Sequence, residues 1–187
     1  MNAEIDQKHA SVYRTLLAIS MIILAAVLRI APHPWNFTPV GAMALFSGAV
    51  LKNRRLAFAV PLLALFAGDL FVGFYKIQIM FAVYASFLLS VAIGLCLRNR
   101  RTIGPISLAT LLGAFQFFVI TDFAFWIFGS AYPRTAAGLI ACYVAAIPLF
   151  FNMLAGDVLY AALLFGGFAL AERTFPAFRE HAASVAR

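Results

Sequence analysis

The chain reads as an all-α, polytopic membrane protein, and three observations predict this. Of its 187 residues, 64% are hydrophobic and only 11% are charged, where a soluble domain carries roughly 25% charged residues. Its mean hydropathy is +0.95, and a soluble core of that composition would leave far too much apolar surface exposed. Its apolar runs are long and continuous, without the alternation of a transmembrane β-barrel. The expected organisation is a polar cytoplasmic arm over residues 1–11, one six-helix transmembrane domain over 12–171 and a cytoplasmic tail over 172–187.

The elements follow in order. Val12 to Ile30 is long enough for a hydrocarbon core of ~30 Å at ~1.5 Å per residue. It follows a segment with Glu4 and Asp6, and Pro32 and Pro34 come after it rather than a small-x-small cleavage site. This first helix is therefore expected to stay attached. Pro32, Pro34 and Pro39 stiffen the link that follows, because each fixes its own φ and restricts the residue before it. Thr38 and Pro39 read as an N-cap with proline at the first helical position. Pro39 to Leu51 is apolar but short for a crossing, so it is either extended by the buried link or partly re-entrant. Leu56 to Phe74, Ile79 to Leu97 and Ile103 to Phe128 are three further spans. Ala136 to Phe150, punctuated by Tyr132-Pro133 and Pro148, is expected as a short separate helix that either dips into or lies along the outer face rather than crossing. Met153 to Ala171 is the last crossing. PLLALFAGDL from Pro61 and PLFFNMLAGDV from Pro148 form a short internal echo, of the kind inverted transporter repeats leave.

The net charge of +7 would suggest nucleic acid in a soluble protein; here the basic residues sit in short loops, so no nucleic-acid partner is expected. Lys8, Arg14, Lys52, Arg54, Arg55, Arg98, Arg100, Arg101, Arg173, Arg179 and Arg187 fall at one side, against Arg29, Lys76 and Arg134 at the other. That asymmetry predicts both termini in the cytoplasm and an even number of crossings, for which six fits. Cys96 and Cys142 fall near opposite faces, so no disulfide between them is expected.

Three of the seven acids, Asp69, Asp122 and Asp157, lie inside predicted spans. A carboxylate at mid-helix costs about 2.5–3.5 kcal/mol on insertion scales. All three fall about one to two turns below the outer boundary, level with Arg29 and His33. Trp126 shares a helix face with Asp122 at i+4. Trp35 and Tyr84 lie near the same level, and Asn36 and Asn152 add neutral hydrogen bonding. Arg29, His33, Trp35, Asn36, Asp69, Tyr84, Asp122, Trp126, Asn152 and Asp157 are the candidate substrate-binding residues. The same charges also suit an internal structural network, or a proton or ion path. No Walker loop, HExxH, CxxC or GxSxG is present, so catalysis is not expected. Well-separated carboxylates with one histidine make no specific metal pattern, and no cofactor is expected.

The stretches PHPWNFTPVGAMALFSGA, PLLALFAGDLFVGF, FVITDFAFWIFG and YPRTAAGLIACYVAAIPLFFNMLAGDVLYAALLFG, within residues 32–166, resemble a bacterial family of six-span membrane proteins of unknown function. That family is in turn similar to the S-components of energy-coupling-factor vitamin transporters, six-helix proteins that hold a vitamin near the outer face. The solitary, cobalamin-linked proteins called BtuM are the functional candidates it brings in. The resemblance implies an S-component-like bundle, with His33 and Asp69 lining the pocket and Tyr84 beyond the third loop. Cobalamin-binding members of that type offer cobalt a cysteine from the loop between spans three and four. Here that loop reads YKIQIM, leaving Met80 or His33 for the role. S-components meet their membrane partner through small residues on span one; here Gly41, Ala44 and Gly48 on span two form the better small-residue face.

The expected function is capture of a vitamin-like small molecule, cobalamin or a related corrinoid among the candidates, from the periplasmic side for uptake. Partners would be that solute, membrane lipid and either an energy-coupling ATPase module or none. The alternative is a non-transporting scaffold or assembly subunit with an internal Arg/Asp network. An enzyme acting on lipid-linked substrates is the third reading.

Overall fold

Six helices make up the computed structural model, which describes residues 2–28, 34–175 and 178, with the side chains of 2–8 and 72 left out. They are α1 (Asn2–Leu28), α2 (Val40–Val50), α3 (Arg54–Val72), α4 (Ile77–Cys96), α5 (Ile103–Phe128) and α6 (Ala136–Thr174). Four of them, α1, α4, α5 and α6, are long and apolar enough to cross a membrane.

The bundle is organised around its shortest member. At ~1.5 Å per residue the 11 residues of α2 rise only ~17 Å, about half a hydrocarbon core. Yet α2 packs against each of the other five helices. Nearly all of its residues are buried, with Phe46, Met43 and Leu45 among the largest fully enclosed side chains. A helix apolar all round belongs in a core, and the sequence VGAMALFSGAV has no polar face to turn outward. Phe46 meets Phe165 and Phe168 of α6 edge-on, at ring separations of 5.2 and 5.6 Å.

The outer helices show the complementary pattern. On α1, Ala18, Ile22 and Ala25 are buried while Leu16, Ile23, Leu24 and Val27 are exposed. That inward stripe and apolar outer face suit a helix between protein and lipid. Helix α1 also runs back through residues 2–11, expected as a separate arm; Ala3, Glu4, Gln7 and Ala10 favour helix over Gly- or Pro-type breaks. Asn53 caps α3, its side-chain oxygen accepting from the backbone N–H groups of Arg55 and Leu56 at 2.9 and 3.4 Å. Arg14, midway along α1 and near the start of its membrane-length stretch His9–Leu28, pairs with Glu172 near the end of α6, so those two stretches meet at one end of the bundle.

Two expectations are corrected. Ala136 to Phe150 is not a separate outer-face helix: α6 is one 39-residue helix that runs straight through Pro148. A proline inside a membrane helix removes one backbone bond, which neighbouring groups can make good, so it need not end the element. A stripe of Gly138, Cys142, Ala146 and Met153 is buried along that stretch, and the Cys142 thiol donates to the Asp122 carbonyl of α5 at 3.6 Å. The small-residue face of α2 is also not presented outward. A methyl group at Gly48 would overlap the Val91 carbonyl, and one at Gly94 would overlap the Leu45 carbonyl. The two glycines let α2 and α4 cross backbone to backbone, so the face is spent on contacts within the chain.

Candidate functional site

The N-terminal end of α2 is where polar groups converge. A buried helix start leaves backbone N–H groups without intrahelical partners, and here the partner comes from far along the chain. Asp157 of α6, 3% exposed, accepts from the Ala42 N–H through Oδ1 at 3.0 Å. A carboxylate at a helix N-terminus also opposes the positive end of the helix dipole. Gly41 makes room for it, since any side chain there would occupy the place of the carboxylate.

The other end of α2 is closed in the matching sense. Arg98, beyond α4, donates from Nε to the Gly48 carbonyl at 3.1 Å and from Nη2 to the Leu51 carbonyl at 2.6 Å. The central helix thus carries an acid at its positive end and a guanidinium at its negative end.

Two adjoining clefts open beside the Asp157 end. The first, of about 50 Å³, is lined by Asn36, Thr38, Ser90, Phe117, Met153 and Asp157 among others. The second, of about 40 Å³, is lined by Asn36, Thr121, Asp122, Phe150 and Met153 among others. Asn36, Phe117 and Met153 line both, so they form the partition. Drug-sized ligands occupy roughly 300–1,000 Å³, so these clefts as they stand hold water-sized contents. A vitamin would enter only if the partition moved.

Asn36 owes its position to a turn. Phe37 N–H donates to the Pro34 carbonyl at 3.0 Å, and Asn36 has φ +62°. That is the third position of a β-turn of the kind that favours Gly or Asn. Asn152 of α6 steadies the turn by donating from Nδ2 to the Trp35 carbonyl at 3.2 Å.

The structure brings Asn36, Asp122 and Asp157 to the clefts and takes other candidates elsewhere. Among the described residues the Asp122 carboxylate, half-buried, has no hydrogen bond or ion pair. Asp69, 1% exposed, lies between α3 and α4, where the Tyr84 hydroxyl donates to its Oδ2 at 2.8 Å; this pair lines neither cleft. The three acids therefore do not share one chamber. Trp126 donates from Nε1 to the Pro133 carbonyl at 3.0 Å, tying α5 to the loop before α6. Trp35 is 84% exposed, and among the described residues its backbone carbonyl is engaged by Asn152. Arg29 and His33 lie outside the described residues.

A polar seam next to the first cleft is not among the predicted residues. Gln116 of α5 donates from Nε2 to the Ser86 carbonyl, Ser90 Oγ and the Gly113 carbonyl, each at 3.0 Å. Its Oε1 is buried with no partner among the described residues. The signal was present: Ser86 and Ser90 stand four apart on one face of an otherwise apolar span. Among the described residues no group of three or more His, Cys, Asp or Glu side chains could hold a metal ion.

An all-helical bundle with four membrane-length apolar helices, a buried short helix at its centre and small clefts at one end of that helix defines a polytopic membrane protein. The chain belongs to the Family of unknown function (DUF6580), whose family model matches residues 9–178. No curated protein and no solved structure matches it.

Proposed function

We propose that the chain is an S-component-like, substrate-binding protein of the bacterial inner membrane that captures a vitamin-like solute from the periplasmic side for uptake. The observation that carries this reading is the pair of adjoining clefts, with the half-buried carboxylate of Asp122, unpaired among the described residues, in one and Asp157 in the other. An unpaired carboxylate within a span is expensive and marks a place for a hydrogen-bond donor or cation on the ligand. The phenyl rings of Phe117 and Phe118 beside it supply apolar contact.

Six crossings with both termini in the cytoplasm are supported by the Arg14–Glu172 pair at one end and by the basic loops that charge asymmetry assigns to the inside. Helix α2 would count as the second crossing, completed by the link before it. A corrinoid is the largest ligand of the class and asks for the widest opening of the Asn36 partition; a smaller vitamin asks for less. Uptake would proceed with an energy-coupling ATPase module or alone.

Native mass spectrometry of the purified full chain against a vitamin panel that includes cobalamin tests the reading. One panel member should be retained by the wild type and lost, with its thermal shift, in Asp122→Asn. Retention of no panel member, with no thermal shift, overturns it. That result would favour the second reading, a scaffold, for which the internal bonds of Asp157 to Ala42 and Tyr84 to Asp69 speak.

A further inference from the structure

The basic end of the bundle carries a feature that solute capture does not use. Leu51 to Asn53 links α2 to α3, whose first residues are Arg54 and Arg55, and Leu97 to Thr102 links α4 to α5. The sequences LKNRR and LRNRRT contain no acid. Charge asymmetry accounts for basic residues in such loops, but it does not require the two loops to lie together. Here they do, because Arg98 of the second loop binds the carbonyls of Gly48 in the last turn of α2 and of Leu51 at the start of the first loop. That bond gathers Arg54, Arg55, Arg100 and Arg101, all exposed, at one end of α4. Glu172, an acid at this end whose side chain is described, is bound to Arg14.

The surface below these arginines is apolar. Helices α3 and α5 both pack on α4 and not on each other, so the outer face of α4 lies between them, with Leu88 and Leu89 exposed along it. Ile103, two residues after Arg101, is 85% exposed, and Leu108, Leu111 and Leu112 continue the apolar face of α5. Cations directly above exposed hydrocarbon-facing side chains match a molecule with an anionic head and acyl chains. A free phosphate would use the cations alone. Guanidinium forks suit phosphodiester oxygens better than ammonium groups do, because they bind two oxygens at once.

We infer that the paired loops at the α4 end form a binding site for an anionic phospholipid, with Arg54, Arg55, Arg100 and Arg101 on the headgroup phosphate and the acyl chains over α4 and α5. This site is independent of the clefts and stands or falls separately from solute capture.

The test uses the full chain in detergent and in nanodiscs, with phosphatidylglycerol, cardiolipin or phosphatidylcholine added, and reads bound lipid by native mass spectrometry and the melting temperature. Wild type should retain the anionic lipids in preference to phosphatidylcholine and melt higher with them. Each charge removed should weaken that preference roughly fivefold. Arg54→Gln/Arg55→Gln and Arg100→Gln/Arg101→Gln should each lose most of it, whereas Lys76→Gln/Arg134→Gln at the other end should not. Should a double variant fail to fold, salt titration of the wild type serves instead, and the preference should fall as ionic strength rises. Equal retention of all three lipids by wild type, preference unchanged in both arginine variants, or the same shift from glycerol phosphate without acyl chains would each overturn the proposal.

Discussion

The two ends of α2 make the most instructive contrast in the molecule. At the C-terminal end, Gly48 and Gly94 bring two backbones together, and Arg98 closes the last carbonyls. At the N-terminal end, Gly41 yields its space to a carboxylate, and clefts open on either side of Asn36. Both ends solve the same problem, the unpaired backbone groups of a short helix in an apolar interior. One does so with close packing, the other with a polar group that leaves room beside it. The difference teaches that one end is closed by packing while the other keeps open space beside a buried polar group.

Substitutions that break this contrast should act unequally. The largest effect is expected at the packed end: Gly48→Leu places a side chain where the Val91 backbone already stands. Overpacking of this kind costs about 3 kcal/mol or more, so the variant should be recovered poorly folded, as its thermal melt in detergent would reveal. Arg98→Met removes two charged hydrogen bonds and should lower stability by about 3 kcal/mol, with Arg98→Lys falling between it and wild type. Asp157→Ala leaves the buried Ala42 N–H unpaired and should cost about 2 kcal/mol; Asp157→Asn, which keeps an acceptor, should cost less. Gly41→Ala sharpens the point. It should be destabilising alone but much less so on the Asp157→Ala background, because the carboxylate it displaces is gone, and a double-mutant cycle measures that coupling. The smallest stability change, within about 0.5 kcal/mol, is expected for Asp122→Asn at the open end, where ligand retention is the property that should fall.

Much of the architecture was legible because membrane helices announce themselves by length and hydropathy. Helix α5 falls where its apolar run does, Ile103–Phe128, and α3 and α4 begin and end within two residues of theirs. The unbroken course of α6 was not legible, because Pro148 and the Phe151-Asn152 step look like breaks until Asn152 is seen holding the Trp35 turn. The acids stand out in the sequence because they interrupt apolar runs, but their partners could not be read. Ala42 lies 115 residues from Asp157, and no local pattern encodes such a pairing. Arg98 was assigned to topology with its neighbours, since a loop cation and a helix cap look alike in sequence. The weak echo around Pro61 and Pro148 places Asp69 and Asp157 in equivalent settings by sequence, yet one meets a tyrosine hydroxyl and the other a backbone amide.

The 39 residues of α6 would rise ~58 Å if straight, nearly twice a hydrocarbon core of ~30 Å, while α4 with 20 residues fits such a core upright. Two helices of one bundle therefore ask for slabs of different depth. The chain meets both demands only by leaning or by projecting α6 beyond the slab, which ties its posture to the thickness of the surrounding bilayer. Because Met153 and Asp157 lie on that same helix, a change in acyl-chain length is expected to reach the clefts themselves.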